Sequence, residues 1–133
     1  VLVITSKSPY AVRALSELAR RGDAGPVPIG DLARARDIPA QFLEGLFATL
    51  RRAGILQSQR GVKGGYSFAR PPSEITVLEV VELLEGELGA EAAASGALWT
   101  DAADAVRNVL AGVTIADVAE REARDSAAPM YYI

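Results

Sequence analysis

Neither cysteine nor histidine occurs among the 133 residues of the sequence. The lack of cysteine excludes disulfides, thiolate metal sites and cysteine-ligated iron–sulfur clusters in these residues. The two absences together exclude catalysis by thiol or imidazole. A metal site made of carboxylates alone has no ligand spacing to support it, and no cofactor is expected. The residues give an enzyme little to work with. Long apolar runs are also lacking, because charge interrupts each one, so no membrane span is expected. Val1–Ile4 is too short for a signal peptide and runs into Lys7 without a cleavage pattern, which leads to an expected cytoplasmic address.

What is present is ordinary for a globular protein: 50% hydrophobic and 23% charged residues. The length suits one domain, or one domain with a dimerisation extension. The net charge of −3 hides a division. Residues 1–70 hold eleven basic and five acidic residues, for +6, whereas residues 71–133 hold three basic and twelve acidic, for −9. The first half alone has the charge to attract an acidic partner; the alternative is that the helices of the second half simply happen to be acidic.

Apolar periodicity predicts the elements. Ala11, Val12, Leu15, Leu18 and Ala19 recur at helical spacing between Pro9 and Arg21, with Ser8 expected as the N-cap. Gly22–Pro26 is a turn, and Val27 is placed to add one strand pairing. A short second helix carries Ile29, Leu32 and Ala33. Pro39 opens a third, with Phe42, Leu43, Leu46, Phe47 and Leu50 on one face, and Gly54 stands where a left-handed cap is wanted. The period then changes to two. Ile55–Gln59 and Tyr66–Ala69 read as strands around a glycine-rich turn. Three helices followed by a hairpin predict a mainly α fold with a small β wing (α+β), a winged helix-turn-helix. Thr76 with Glu79 forms a capping box for a helix through Glu85. Residues 86–96 read as a linker or a loosely helical stretch, Leu98–Ala111 as an amphipathic helix, and Thr114 as the cap of a last helix to about Arg124. Trp99 is expected in the core, with a dimer interface as the alternative.

Three sets of residues are candidates for contact with nucleic acid. The first turn of the third helix, Pro39, Ala40 and Gln41, with Glu44 one turn on, would face a major groove: Gln41 suits adenine edges and Glu44 cytosine N4. Arg51 and Arg52 at its end suit phosphates or the helix dipole. In the hairpin, Arg60 and Lys63 punctuate a turn whose Gly64 and Gly65 let the backbone come close to a phosphate wall, and an arginine there suits a narrow minor groove. A nucleotide-cradling loop is excluded by the lack of a Gly-Lys-Ser/Thr ending and of a following helix. Thr5, Ser6 and Lys7 ahead of the first helix make a candidate phosphate clamp. A winged domain of this size does not cover the stripe of Leu98–Ala111, so self-association is expected, and a twofold dimer would suit a pseudo-palindromic operator in double-stranded DNA.

The segments Thr5–Ala11, Gly25–Ile29, Phe42–Leu46, Leu50–Leu56, Arg60–Tyr66 and Glu74–Val77 together resemble the IscR/CymR-type winged-helix regulators over nearly the whole chain. The resemblance implies a homodimeric bacterial transcription regulator that uses its third helix and wing on palindromic DNA. It also implies that Leu98–Ala111 is the dimerisation helix, with Thr114–Val118 as a capping segment. The expected organisation is a DNA-binding domain at 1–72, a helical dimerisation region at 73–125 and a tail at 126–133. Many relatives bind an iron–sulfur cluster on cysteines in the loop after the helix at 76–85; here that loop has none. Met130, Tyr131, Tyr132 and Ile133 resemble the ending of the family's cysteine-metabolism repressors, which implies docking of Ile133 into cysteine synthase as a partner. Two departures stand out. Ser8-Pro9 replaces a frequent glycine and arginine, and Pro39-Ala40-Gln41 replaces small hydroxyl residues. The leading expectation is a cluster-free repressor of cysteine or sulfur metabolism. The alternatives are a repressor that senses a small molecule directly and a winged-helix module for protein contacts.

Overall fold

The computed structural model describes residues 4–127. The first helix, α1 (Lys7–Arg20), sits at the centre and packs against α2 (Ile29–Arg36), α3 (Ala40–Arg52), α4 (Val77–Glu85) and α7 (Ile115–Ala127). Its buried stripe of Ala11, Ala14, Leu15 and Leu18 has the helical spacing that sequence periodicity predicts. The start differs from expectation. Ser6 occupies the N-cap position and makes no side-chain cap, and Ser8 lies inside the helix, 3% exposed. The free amides of this first turn are met from a distance instead. The Glu85 carboxylate, at the end of α4, accepts from the Thr5 amide at 2.9 Å and from the Ser8 amide at 3.3 Å. It also accepts from the hydroxyls of Thr5 at 2.9 Å and Ser8 at 2.8 Å. Pro9 fits the first turn because no amide is needed there.

Helix α2 ends where Asp37 takes a left-handed conformation, φ 54°, and Ile38 is buried directly after it. This turns the chain into α3, whose Leu43, Leu46, Phe47 and Leu50 are buried. Strands β1 (Leu56–Gln59) and β2 (Gly65–Phe68) pair antiparallel, with Leu56 opposite Phe68 and Gln59 opposite Gly65. Val27 joins β2 as expected: its amide donates to the Tyr66 carbonyl at 2.9 Å, and the Tyr66 amide returns the bond at 2.8 Å.

Thr76 caps α4 by accepting from the Glu79 amide at 3.1 Å. The reciprocal arm of the predicted box is absent, because the Glu79 carboxylate accepts from Arg70 at 2.6 Å. Of the two readings of residues 86–96 the structure favours the helical one: Leu88 is buried, and Ala92–Ser95 form a short helix, α5. Helix α6 (Ala97–Ala111) buries only Ala103. Trp99 is 46% exposed rather than in the core, because α6 turns this face away from the rest of the chain. Thr114 and Asp117 cap α7 reciprocally at 2.9 and 3.1 Å. The helix runs to Ala127, past the expected end at Arg124. Paired backbone bonds join the two cap segments, Val77 amide to Val113 carbonyl at 2.8 Å and Ile115 amide to Ile75 carbonyl at 2.9 Å. One buried cluster therefore extends from Ala11 in α1 to Ile115 in α7.

Candidate nucleic-acid interface

Because α3 buries the face carrying Leu43, Leu46, Phe47 and Leu50, its opposite face looks outward. Ala40, Gln41, Glu44, Gly45, Arg51 and Arg52 are all exposed. Edge-to-face aromatic pairs seat the helix from both sides: Tyr10 of α1 on Phe42 at 5.6 Å, and Phe47 on Tyr66 of the wing at 5.2 Å. Arg51 donates to the Ser58 hydroxyl of β1 at 3.3 Å, which ties the end of α3 to the hairpin. Pro39 stands at the N-cap and offers no side-chain acceptor to the first turn.

The three predicted sets are only partly brought together. Lys7 meets Gln41, together with Gly45 and Thr49, along a groove between the start of α1 and the face of α3, closed by Leu83 and Leu84 of α4. Ser6 is exposed beside it. Thr5 is not free as a clamp, since its amide and hydroxyl both serve Glu85. Burial acts to raise the Glu85 pKa, but the donors of Ser8 and Thr5 outweigh it and hold the carboxyl below its usual range. Arg60 and Lys63 stand exposed in the hairpin turn. Gly64 and Gly65 have internal reasons to be glycine. A Cβ on Gly64 would lie 2.3 Å from the Gln59 carbonyl oxygen, and one on Gly65 would lie 2.3 Å from that of Val27. Met130, Tyr131, Tyr132 and Ile133 lie outside the described residues.

One cluster has no counterpart in the sequence reading. Arg36, in the last turn of α2, donates to Glu17 of α1 at 2.8 Å and to Glu122 of α7 at 2.8 and 3.1 Å, and Ser16 also donates to Glu122. The hydrogen bonds from Arg36 outweigh burial and lower the pKa of both carboxyls. They raise that of the guanidinium in turn, the bond to Glu122 contributing most. This hub fixes α2, and hence the turn into α3, to the C-terminal helix. Its partners are 19 and 86 residues from Arg36 in the chain, a separation that no local motif signals.

Among known proteins, the family described as "Rrf2: Iron-dependent Transcriptional regulator" matches residues 4–121. The described residues offer iron no fitting donor set. The loop at 86–96, which follows α4, provides only the carboxylates of Glu87 and Glu91 and the Ser95 hydroxyl, with no thiolate or imidazole. No group of three or more potential ligands occurs among the described residues. The chain is 44% identical to the HTH-type transcriptional regulator slr0846 of Synechocystis sp. over 85 residues, 64% of this chain and 58% of that protein. It is 32% identical to the HTH-type transcriptional regulator IscR of Photorhabdus laumondii over 131 residues, 90% of this chain and 80% of the relative. Among solved structures, CymR, titled the global cysteine regulator of B. subtilis, superposes with a TM-score of 0.80 at 33% identity, covering 91% of this chain and 98% of the other. T. potens IscR superposes at 0.81 and 33%, covering 98% and 97%. These relatives are regulators and not enzymes, and the chain belongs to the Rrf2 family of transcriptional regulators.

Proposed function

We propose that this regulator is a cytoplasmic homodimeric repressor that binds a pseudo-palindromic site in double-stranded DNA. Residues 1–72 carry the contact with DNA and residues 73–125 carry the pairing. The observation that supports this most is the contrast between two exposed surfaces. Around α3 and the wing the exposed side chains are mostly polar or charged, with Lys7, Gln41, Arg51, Arg52, Arg60 and Lys63 among them and Val62 the apolar exception. On α6 large apolar groups stand exposed, with Leu98 at 70% and Val109 at 67% exposure beside Trp99. Gln41 and Glu44 would read base edges, while Lys7, Arg51, Arg60 and Lys63 would neutralise phosphates. Thr5 would act indirectly, by holding Glu85 under the start of α1, and Gly64 and Gly65 by shaping the wing.

The genes regulated are, in this reading, those of cysteine or sulfur metabolism, and the signal is a cysteine synthase that binds Ile133. The likeness to the global cysteine regulator CymR supports this, as do the residues Tyr132 and Ile133 and the lack of cysteine in the loop at 86–96. A terminal carboxylate on isoleucine resembles an amino-acid ligand and suits capture by backbone donors. Removal of Tyr132 and Ile133 tests the proposal. Calorimetric titration with cysteine synthase should lose its binding signal, while sedimentation still shows a dimer. Undiminished synthase binding by the shortened chain would exclude the docking role of the tail.

A further inference from the structure

The hairpin tip presents a side chain with no role inside the protein. Val62 is fully exposed, at 104% relative area, more than any other large hydrophobic residue among those described. Single apolar side chains in water are common on protein surfaces, so exposure alone assigns nothing. The way this one is held says more. Gly61 takes φ +110°, and its carbonyl accepts from the Gly64 amide at 3.0 Å, which closes the turn. Gly64 packs too tightly against the Gln59 carbonyl for any side chain. Behind the turn, β2 is fastened to Val27 by two backbone bonds, and Tyr66 is fastened to α3 through Phe47. The backbone thus fixes the tip and holds Val62 outermost.

Its neighbours complete the pattern. Arg60 and Lys63 are exposed, and neither has an ion-pair partner among the described residues. An apolar group between two unpaired cations complements a channel with apolar walls and anionic edges. The minor groove of a duplex has this form, with sugar walls between two rows of phosphates.

We propose that Val62 is an apolar contact of the wing with the walls of the minor groove, seated by Arg60 and Lys63 on the flanking phosphates, and that it senses groove width rather than base identity. This inference rests on the reading of the chain as a DNA binder. Its expected signature differs from that of the cations. Phosphate contacts release counterions and steepen the salt dependence of binding, whereas an apolar contact does not.

The probe is a duplex that the unaltered full chain selects from a randomised pool, with affinity followed by fluorescence anisotropy over a range of salt. Val62→Thr keeps the shape but replaces a methyl with a hydroxyl that has no partner in the groove. It should bind about five- to tenfold more weakly at every salt concentration, with an unchanged slope. Val62→Ile should bind within about twofold of the unaltered chain. Lys63→Gln should instead flatten the slope by about two, one for each protomer of the proposed dimer. Equal binding by Val62→Thr, or a loss that disappears as salt rises, would overturn the inference while leaving the DNA reading intact. An unaltered chain that binds no duplex would overturn both.

Discussion

Helices α3 and α6 are both amphipathic and of similar length, 13 and 15 residues, yet they end in opposite situations. Helix α3 buries its apolar face against the rest of the chain and shows solvent a polar one. Helix α6 buries only Ala103 and leaves Leu98, Trp99 and Val109 in water. Periodicity reveals that a helix has an apolar face but not what covers it. The first helix is complete and its free face suits a polyanion. The second is incomplete, and its free face suits another apolar surface, for which a second copy is the economical source.

The largest expected effect comes from breaking this contrast at α6. Leu98→Asp with Val109→Asp removes exposed apolar groups that carry little of the protomer's own packing. Sedimentation should show a monomer at concentrations where the unaltered chain is a dimer. DNA affinity should fall on the order of a hundredfold, because the second half-site is no longer bound intramolecularly. A dimer that persists with unchanged affinity would remove α6 from the interface.

A smaller effect is expected at the hub that ties α2 to α7. Glu122→Gln weakens charge-assisted bonds from Arg36 and should cost about 1–2 kcal/mol of stability, read by thermal or denaturant melting. The pH dependence has a definite sign. Glu17 and Glu122 both have folded pKa values below their ordinary 4.5. Their contribution is therefore present in full well above pH 4.5 and is lost as the pH falls through the folded values. The variant should show a shallower loss of stability on acidification than the unaltered chain; an equally steep loss would mean that Glu122 stays charged through other contacts.

The contrast between the two helices also marks what the sequence made legible. The stripe of α1, the face of α3, the two-residue period of the wing and the caps at Thr76 and Thr114 each depend on residues a few positions apart. Each follows from the pattern, except that the Glu79 carboxylate serves Arg70 instead of returning the Thr76 cap. Ser8 was misplaced as an N-cap because the group that serves the start of α1, Glu85, lies 77 residues away. Trp99 was misplaced because its size and hydrophobicity fit a core and an interface equally well. The Arg36 hub was missed for the reason that hid Glu85: charged side chains that meet across the fold leave no periodic trace. The exposure of the α3 face and of the hairpin cations follows from the sequence pattern, whereas the commitment of Thr5 to an internal carboxylate does not.

The central claim is that the basic half grips DNA through α3 and the wing. The most direct test is the affinity of the full chain for its selected duplex as a function of salt, with and without charge reversal of Arg60 and Lys63 to glutamate. The unaltered chain should lose affinity steeply as salt rises, and the reversed chain should bind more weakly with a shallower slope. Binding that is indifferent to salt, or indifferent to the reversal, would contradict the account.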